Sequence, residues 1–172
     1  TLYFVIFGQL IGRRIGEMGG MGYMDFIVPG LIMLSVITNS YGNITSSFFG
    51  AKFGRHIEEL LISPLPPILI LAGYVSGALF RALMVGAMVL VVTTFFSDLS
   101  IQHWGITLAV VVLTSIVFAL GGFINATFAQ KFDDISIIPT FILQPMTYLG
   151  GVFFSVELLP GVWEKIALAN PI

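Results

Sequence analysis

Four stretches of this chain run without Asp, Glu, Lys or Arg for longer than the core of a soluble domain requires. Phe26 to Ala51 is 26 residues, Ile106 to Ala129 is 24 and Ile137 to Val156 is 20, while Leu65 to Ser97 is interrupted only by Arg81. A hydrocarbon layer of ~30 Å takes roughly 20 helical residues to cross. Lipid offers the backbone no hydrogen bonds, so each crossing piece must be a helix or belong to a closed barrel. Barrel strands alternate polar and apolar over about ten residues. These runs are continuous instead. The fold class they specify is all-α, a polytopic transmembrane helical bundle.

Composition removes most other readings. Of 172 residues, 57% are hydrophobic and 9% charged, against about 45–50% and about 25% in soluble domains. Seven Lys and Arg against nine Asp and Glu give a net charge of -2. That leaves no basic excess for gripping phosphate backbones and no basis for nucleic-acid binding. With no Cys, disulfides, thiolate metal sites and a Cys nucleophile are excluded. Sixteen Phe argue against disorder.

A shorter apolar piece, Thr1 to Ile11, would span only ~16 Å as a helix. It begins without Met and reads as a first helix entered part-way. A signal peptide would have a basic region before the run and a small-x-small site after it, and neither is present. The expected helices are therefore 1–11, 26–51, 68–97, 106–129 and 137–156, in one domain over 1–172. Their connections are short, which makes consecutive helices antiparallel neighbours. Lys and Arg set orientation in such proteins, but here they tie: Lys52, Arg55 and Lys131 on one side, Arg13, Arg14 and Lys165 on the other.

The loop from Lys52 to Pro67 has the most informative pattern. Phe53, Ile57, Leu60 and Leu61 repeat at helical spacing, with Lys52, Arg55, His56 and Glu59 on the opposite side, and Pro64 ends the run. This describes a short amphipathic helix over 52–63, lying at the membrane surface. It is either a plain connector or a docking surface for a soluble partner. Glu58 and Glu59 adjoin Lys52, Arg55 and His56, so they are either surface ion pairs or contacts for that partner.

Within the long runs, neutral polar residues recur every four positions. Ser35, Asn39, Asn43 and Ser47 form one stripe; Ser136, Thr140 and Gln144, followed by Thr147 and Tyr148, form another. Residues four apart share a helix face, so each stripe either hydrogen-bonds a neighbouring helix or lines a path for substrate. Arg81 has 16 uncharged residues on each side. It either snorkels to the interface, pairs with Asp133 or Asp134, or lines a cavity for an anion. Gly73 and Gly77 offer a small-residue face for close helix contact. Pro139 and Pro145, with Gly150 and Gly151 beyond, predict a kinked or broken last helix. The segment 157–172 is apolar apart from three charges, and Trp163 suits a headgroup-level anchor.

Enzyme patterns are weak. His56 and His103 fall in loops, and Gly73-Tyr-Val-Ser-Gly77 misses the nucleophile elbow by one position. No His/Asp/Glu metal cluster is visible, although Asp133-Asp134 could hold a cation loosely. No G-x-x-x-x-G-K-[ST] phosphate loop occurs.

Two blocks carry a family resemblance. Arg55-His-Ile-Glu-Glu-Leu-Leu-Ile-Ser-Pro-Leu65 resembles the loop after the second helix of ABC-2-type transporter permeases, their YadH-like branch in particular. Pro139, Pro145, Gly150-Gly-Val-Phe-Phe154, Leu159-Pro160, Trp163 and Asn170-Pro171, with Asp133-Asp134 before them, are similar to the same branch. The resemblance covers essentially the whole chain. It implies a six-helix permease fold of which five helices are represented here, the first truncated and the sixth missing. It also implies a bacterial inner-membrane permease subunit of an exporter, not itself an enzyme, that works as a homodimer. An ATP-binding-cassette subunit would hold ATP and Mg, and this chain would bind no cofactor or metal. Residues 52–63 would then be a cytoplasmic coupling helix, with Lys52, Arg55, His56, Glu58 and Glu59 facing the cassette. Ser35, Asn39, Asn43, Arg81, Thr140, Gln144 and Thr147 would serve the transport path or helix packing. Glu157, Pro160 and Trp163 would belong to an extracytoplasmic re-entrant segment. The alternative class is an ATP-independent carrier or channel using Arg81 and the polar stripes; an intramembrane enzyme comes last.

Overall fold

A computed structural model of the chain describes residues 17–18, 21–95 and 103–153, with positions 161–162, 165, 167 and 170. The expected helix over 1–11 and the residues Glu157, Pro160 and Trp163 lie outside the described residues. A two-residue antiparallel ladder, β1 (Glu17–Met18) with β2 (Met21–Gly22), leads directly into helix α1 (Tyr23–Phe53). After α1 come α2 (His56–Ile62), α3 (Pro67–Thr93) and α4 (Trp104–Phe128). The chain then forms α5 (Phe132–Ile138), a π-helical turn (Pro139–Leu143) and α6 (Gln144–Leu149). Among the described residues, α1, α3 and α4 are long and apolar enough to cross a membrane.

Local chemistry explains the boundaries. Asp25 in the first turn of α1 and Lys52 in its last match the positive and negative ends of the helix dipole. Gly54 ends α1, and Arg55 takes a left-handed backbone (φ 61°) that turns the chain into α2. Ser63 is extended and precedes Pro64, as expected for a residue before proline. Pro67 opens α3 at a position where its missing amide costs nothing.

Packing is centred on α1. Its best apolar window is 44% buried, against 17% for α3 and 22% for α4. α1 contributes large side chains, among them Ile27, Val36, Ile44 and Phe49. The flanking helices contribute small ones: Ala78, Ala82 and Gly86 from α3, and Ser115, Ala119, Gly122 and Ala126 from α4. Small residues let helix backbones approach where lipid supplies no hydrophobic drive between helices. At Gly122 the approach is extreme, because a Cβ there would come within 2.7 Å of Ile44, Thr45 and the Tyr41 carbonyl. Across the same contact Ser40 Oγ donates to the Ser115 carbonyl at 2.6 Å. Gly73 and Gly77 do not play the part expected of them: a Cβ at either would meet nothing within 4 Å. The face of α3 that packs on α1 carries instead Tyr74, edge-on to Phe48 at 5.3 Å, and Gly86, where a Cβ would meet Val36.

The outward faces are apolar. Phe80, Met84, Met88, Leu113, Val117 and Phe128 are all exposed, the reverse of a soluble domain and the arrangement that lipid requires. Near the start of α1, Tyr23, Ile27, Val28 and Leu31 pack with Val152 and Phe153. Tyr23 Oη donates to the Phe153 carbonyl at 3.2 Å, which closes that end of the bundle.

Candidate functional site

Two regions concentrate the polar chemistry, one at the α2 end of the bundle and one along a groove beside α1. At the first, the helix expected over 52–63 is divided. Lys52 and Phe53 complete α1, Gly54 and Arg55 make the turn, and α2 begins at His56. Arg55, His56, Glu58 and Glu59 are exposed and make no ion pair or side-chain hydrogen bond among the described residues. Ile57 is half-buried against Phe48, Phe49, Ala126 and Ala129, a cluster that Ile135 of α5 also joins. Leu61 and Ile62 stay exposed. α2 therefore has one anchored apolar residue, an apolar end open to lipid, and a free charged surface.

Lys52 departs from the free-cation group. Its ammonium donates to the carbonyls of Thr127 and Ala129, at 2.7 and 2.8 Å. These are the last carbonyls of α4, which lack partners within their own helix; a cation there also faces the negative end of the dipole. Five residues beyond Ala129, the Asp134 carboxylate accepts the amides of Gln130 and Lys131, at 2.8 and 2.9 Å. Those two amides hold its carboxyl below the ordinary carboxylate range, with Lys131 adding a smaller attraction. Phe132 stands edge-on to both Phe49 and Phe53, at 5.0 and 4.9 Å between ring centroids. A small cavity of about 340 Å³ lies here among Phe49, Lys52, Phe53, Arg55, Ala129 and Gln130.

The second region joins the two polar stripes. A groove of about 470 Å³ separates α1 from the π turn and α6, and Ser35, Asn39, Gln144, Thr147 and Tyr148 all line it. Its apolar wall includes Leu31, Leu34, Val89 and Phe153, with Phe153 stacked on Tyr148 at 5.6 Å. A further pocket of about 250 Å³ continues toward α2, lined by Thr45, Ser46, Ser136 and Thr140. Tyr41, Gly42 and Pro139 line both and mark the join. Among the described residues the stripes do not hydrogen-bond each other. Their side chains bond carbonyls one turn back on the same helix: Ser35 to Leu31, Asn39 to Ser35, and Thr147 to Leu143. Asn43 is half-buried but lines neither pocket.

Arg81 is exposed on α3, with no hydrogen-bond or ionic partner among the described residues, and it is not among the residues lining these pockets. Pairing with Asp133 or Asp134 is not formed. The stripe pattern gave no sign of Tyr41, which is 3% exposed and faces the Asn125 side chain without forming a hydrogen bond from its hydroxyl. Asn125 itself donates to the Ile135 carbonyl at 3.3 Å and so ties α4 to α5. Among the described residues no group of three His, Cys, Asp or Glu could hold a metal ion.

The sequence signature of the ABC-2 type transporter family matches residues 1–172, the whole chain. The chain belongs to that family. It is 56% identical to the inner membrane transport permease YadH of Escherichia coli (strain K12), over all of this chain and 67% of that protein. Nodulation protein J of Rhizobium leguminosarum bv. viciae is 26% identical, again over all of this chain and 67% of its relative. Nodulation protein J of Sinorhizobium fredii (strain NBRC 101917 / NGR234) is 27% identical, over 65% of that relative. No solved structure matches. The chain is thus a membrane permease of the ABC-2 type and a multi-pass protein of the bacterial inner membrane.

Proposed function

We propose that this permease is the membrane subunit of an ATP-driven exporter and that α2 is its coupling helix, seated in a cytoplasmic ATP-binding-cassette subunit. In this reading two copies of the permease work with two cassettes, which bind ATP and Mg, and the permease itself hydrolyses nothing. The observation that carries it is α2. A short helix set between two membrane-crossing helices presents Arg55, His56, Glu58 and Glu59 unpaired, while Ile57 fastens it to the bundle. Unpaired charges on an anchored helix suit a contact that forms with another subunit. The groove beside α1 is the path in this reading, since it brings Ser35, Asn39, Gln144 and Thr147 into one apolar-walled space.

The 172 residues contain no Cys, so once any cysteine elsewhere in the permease is replaced, a cysteine at Glu59 reports which side α2 occupies. It should react with a membrane-impermeant maleimide in inside-out vesicles and stay protected in intact cells. Reversing both carboxylates (Glu58→Lys with Glu59→Lys) should abolish co-purification of the cassette subunit while leaving membrane insertion intact. Labelling from outside the cell, or a cassette retained at the wild-type level by the double variant, would overturn the assignment.

A further inference from the structure

Any push on α2 has to reach the groove to be useful, and a continuous set of contacts among the described residues leads that way. Lys52 holds the Thr127 and Ala129 carbonyls from the end of α1. Asp134 holds the Gln130 and Lys131 amides from the first turn of α5. The linker between α4 and α5 is therefore clasped from both sides. Phe132 is wedged against Phe49 and Phe53, and Ile57 of α2 shares a cluster with Ile135. The end of α1 and the first turn of α5 are thereby joined by charged hydrogen bonds and aromatic contacts, and α2 joins them through the apolar cluster around Ile57. Charge-assisted bonds are about twice as strong as neutral ones, so this block should move as one.

Beyond α5 the helix changes character. Pro145 has no amide for the carbonyl one turn back and its ring crowds that carbonyl. The turn widens, and the Gln144 amide reaches back five residues to the Pro139 carbonyl. A π turn is a local irregularity in the hydrogen-bond ladder, and such turns recur at functional sites. It lies between α5 and the groove, and Pro139 and Leu143 at its two ends line that groove.

We propose that Lys52 is a positioning residue for transport: by fastening α1 to the α4–α5 linker it makes a displacement of α2 bend the chain at Pro139–Leu143, and so reshapes the groove. This gives Lys52 an inward role instead of a contact with the cassette. It rests on the reading of α2 as the coupling helix.

The test uses the full-length permease with its cassette subunit in proteoliposomes. A single cysteine at Thr140, in the pocket next to the π turn, is labelled with maleimide with and without ATP and vanadate, and trapped nucleotide is measured in each sample. In the otherwise unchanged protein, trapping should alter the labelling rate. Lys52→Met should shrink that change by roughly fivefold or more, the lower range of an energetic coupling between sites, even where nucleotide is trapped. Lys52→Arg, which keeps the cation and the donors, should restore most of it. An undiminished change in Lys52→Met overturns the proposal. No trapping and no change with Lys52 present would instead overturn the coupling-helix reading. Should Lys52→Met fail to reach the membrane, Lys52→Gln carries the same comparison, because one amide cannot satisfy both carbonyls with a cation's strength.

Discussion

Asp134 shows how much one side chain can do at a chain reversal. Its carboxylate accepts two backbone amides, which favours the ionised form and lowers its pKa from the ordinary 3.8. A carboxyl whose folded pKa is lowered stabilises the fold above its unfolded pKa, and that contribution is lost as pH falls through the lower, folded value. Amide exchange at Gln130 and Lys131 should therefore stay slow at neutral pH and lose its protection only below about pH 4. Asp134→Ala should remove the protection at every pH. A wild-type profile that is flat down to pH 2 or that changes near neutrality would show that the carboxylate does not hold the linker. The doublet Asp133-Asp134 marks this position in sequence, but nothing in the pattern says which carboxylate turns back to cap the helix. Arg55 is a second case at this scale. Its left-handed backbone, where an L-residue pays ~1–2 kcal/mol, belongs to a turn that the sequence reads as helix.

Among the elements, the contact between α1 and α4 is the most closely fitted. A methyl at Gly122 has Ile44, Thr45 and the Tyr41 carbonyl in its way at 2.7 Å. Gly122→Ala should destabilise by about 1–3 kcal/mol, the usual range for overpacking. Gly77→Ala should cost nothing, since a Cβ there meets open space, and serves as the control in a thermal-shift assay in detergent. Equal melting temperatures for the two variants would mean the helices are not this close. The runs that became α1, α3 and α4 could be found in the sequence because lipid writes its requirement directly on composition, whereas the expected helix over 137–156 is divided into the end of α5, the π turn and α6, which stops at Leu149. Tyr23–Phe53, for example, extends the expected 26–51 by only three residues at one end and two at the other. Pro139 and Pro145 likewise predict a disturbed helix, but not that the disturbance is a π turn. The lengths and breaks of elements are local properties, whereas the face an element turns inward is set by its neighbours.

At the scale of the whole molecule, the apolar exterior is itself a prediction. Val117 lies near the middle of α4 and is exposed, a place where a soluble protein would accept a charge. Val117→Arg should cost about 2.5–3.5 kcal/mol in insertion and lower the yield of membrane-inserted protein, measured by carbonate extraction. An unaffected yield would mean that this face meets water or a polar partner. Lys52 illustrates the opposite limit, because its carbonyl partners are 75 and 77 residues away. The groove is another: Asn39 and Gln144 line one space from distant parts of the chain.

By itself the sequence determined that this chain is a bundle of membrane-crossing helices of the ABC-2 permease type, and it located α1, α3 and α4 to within a few residues. Hydrophobic run length and proline position are properties of consecutive residues, so they are readable without coordinates. Only the tertiary structure decided that Gly122 and not Gly73 or Gly77 meets a neighbour, that Lys52 turns inward while Glu58 and Glu59 remain free, and that two polar stripes enclose a groove instead of bonding to each other. Each of those outcomes depends on the rotation of one helix against another, and that angle is fixed by packing between residues far apart in the chain.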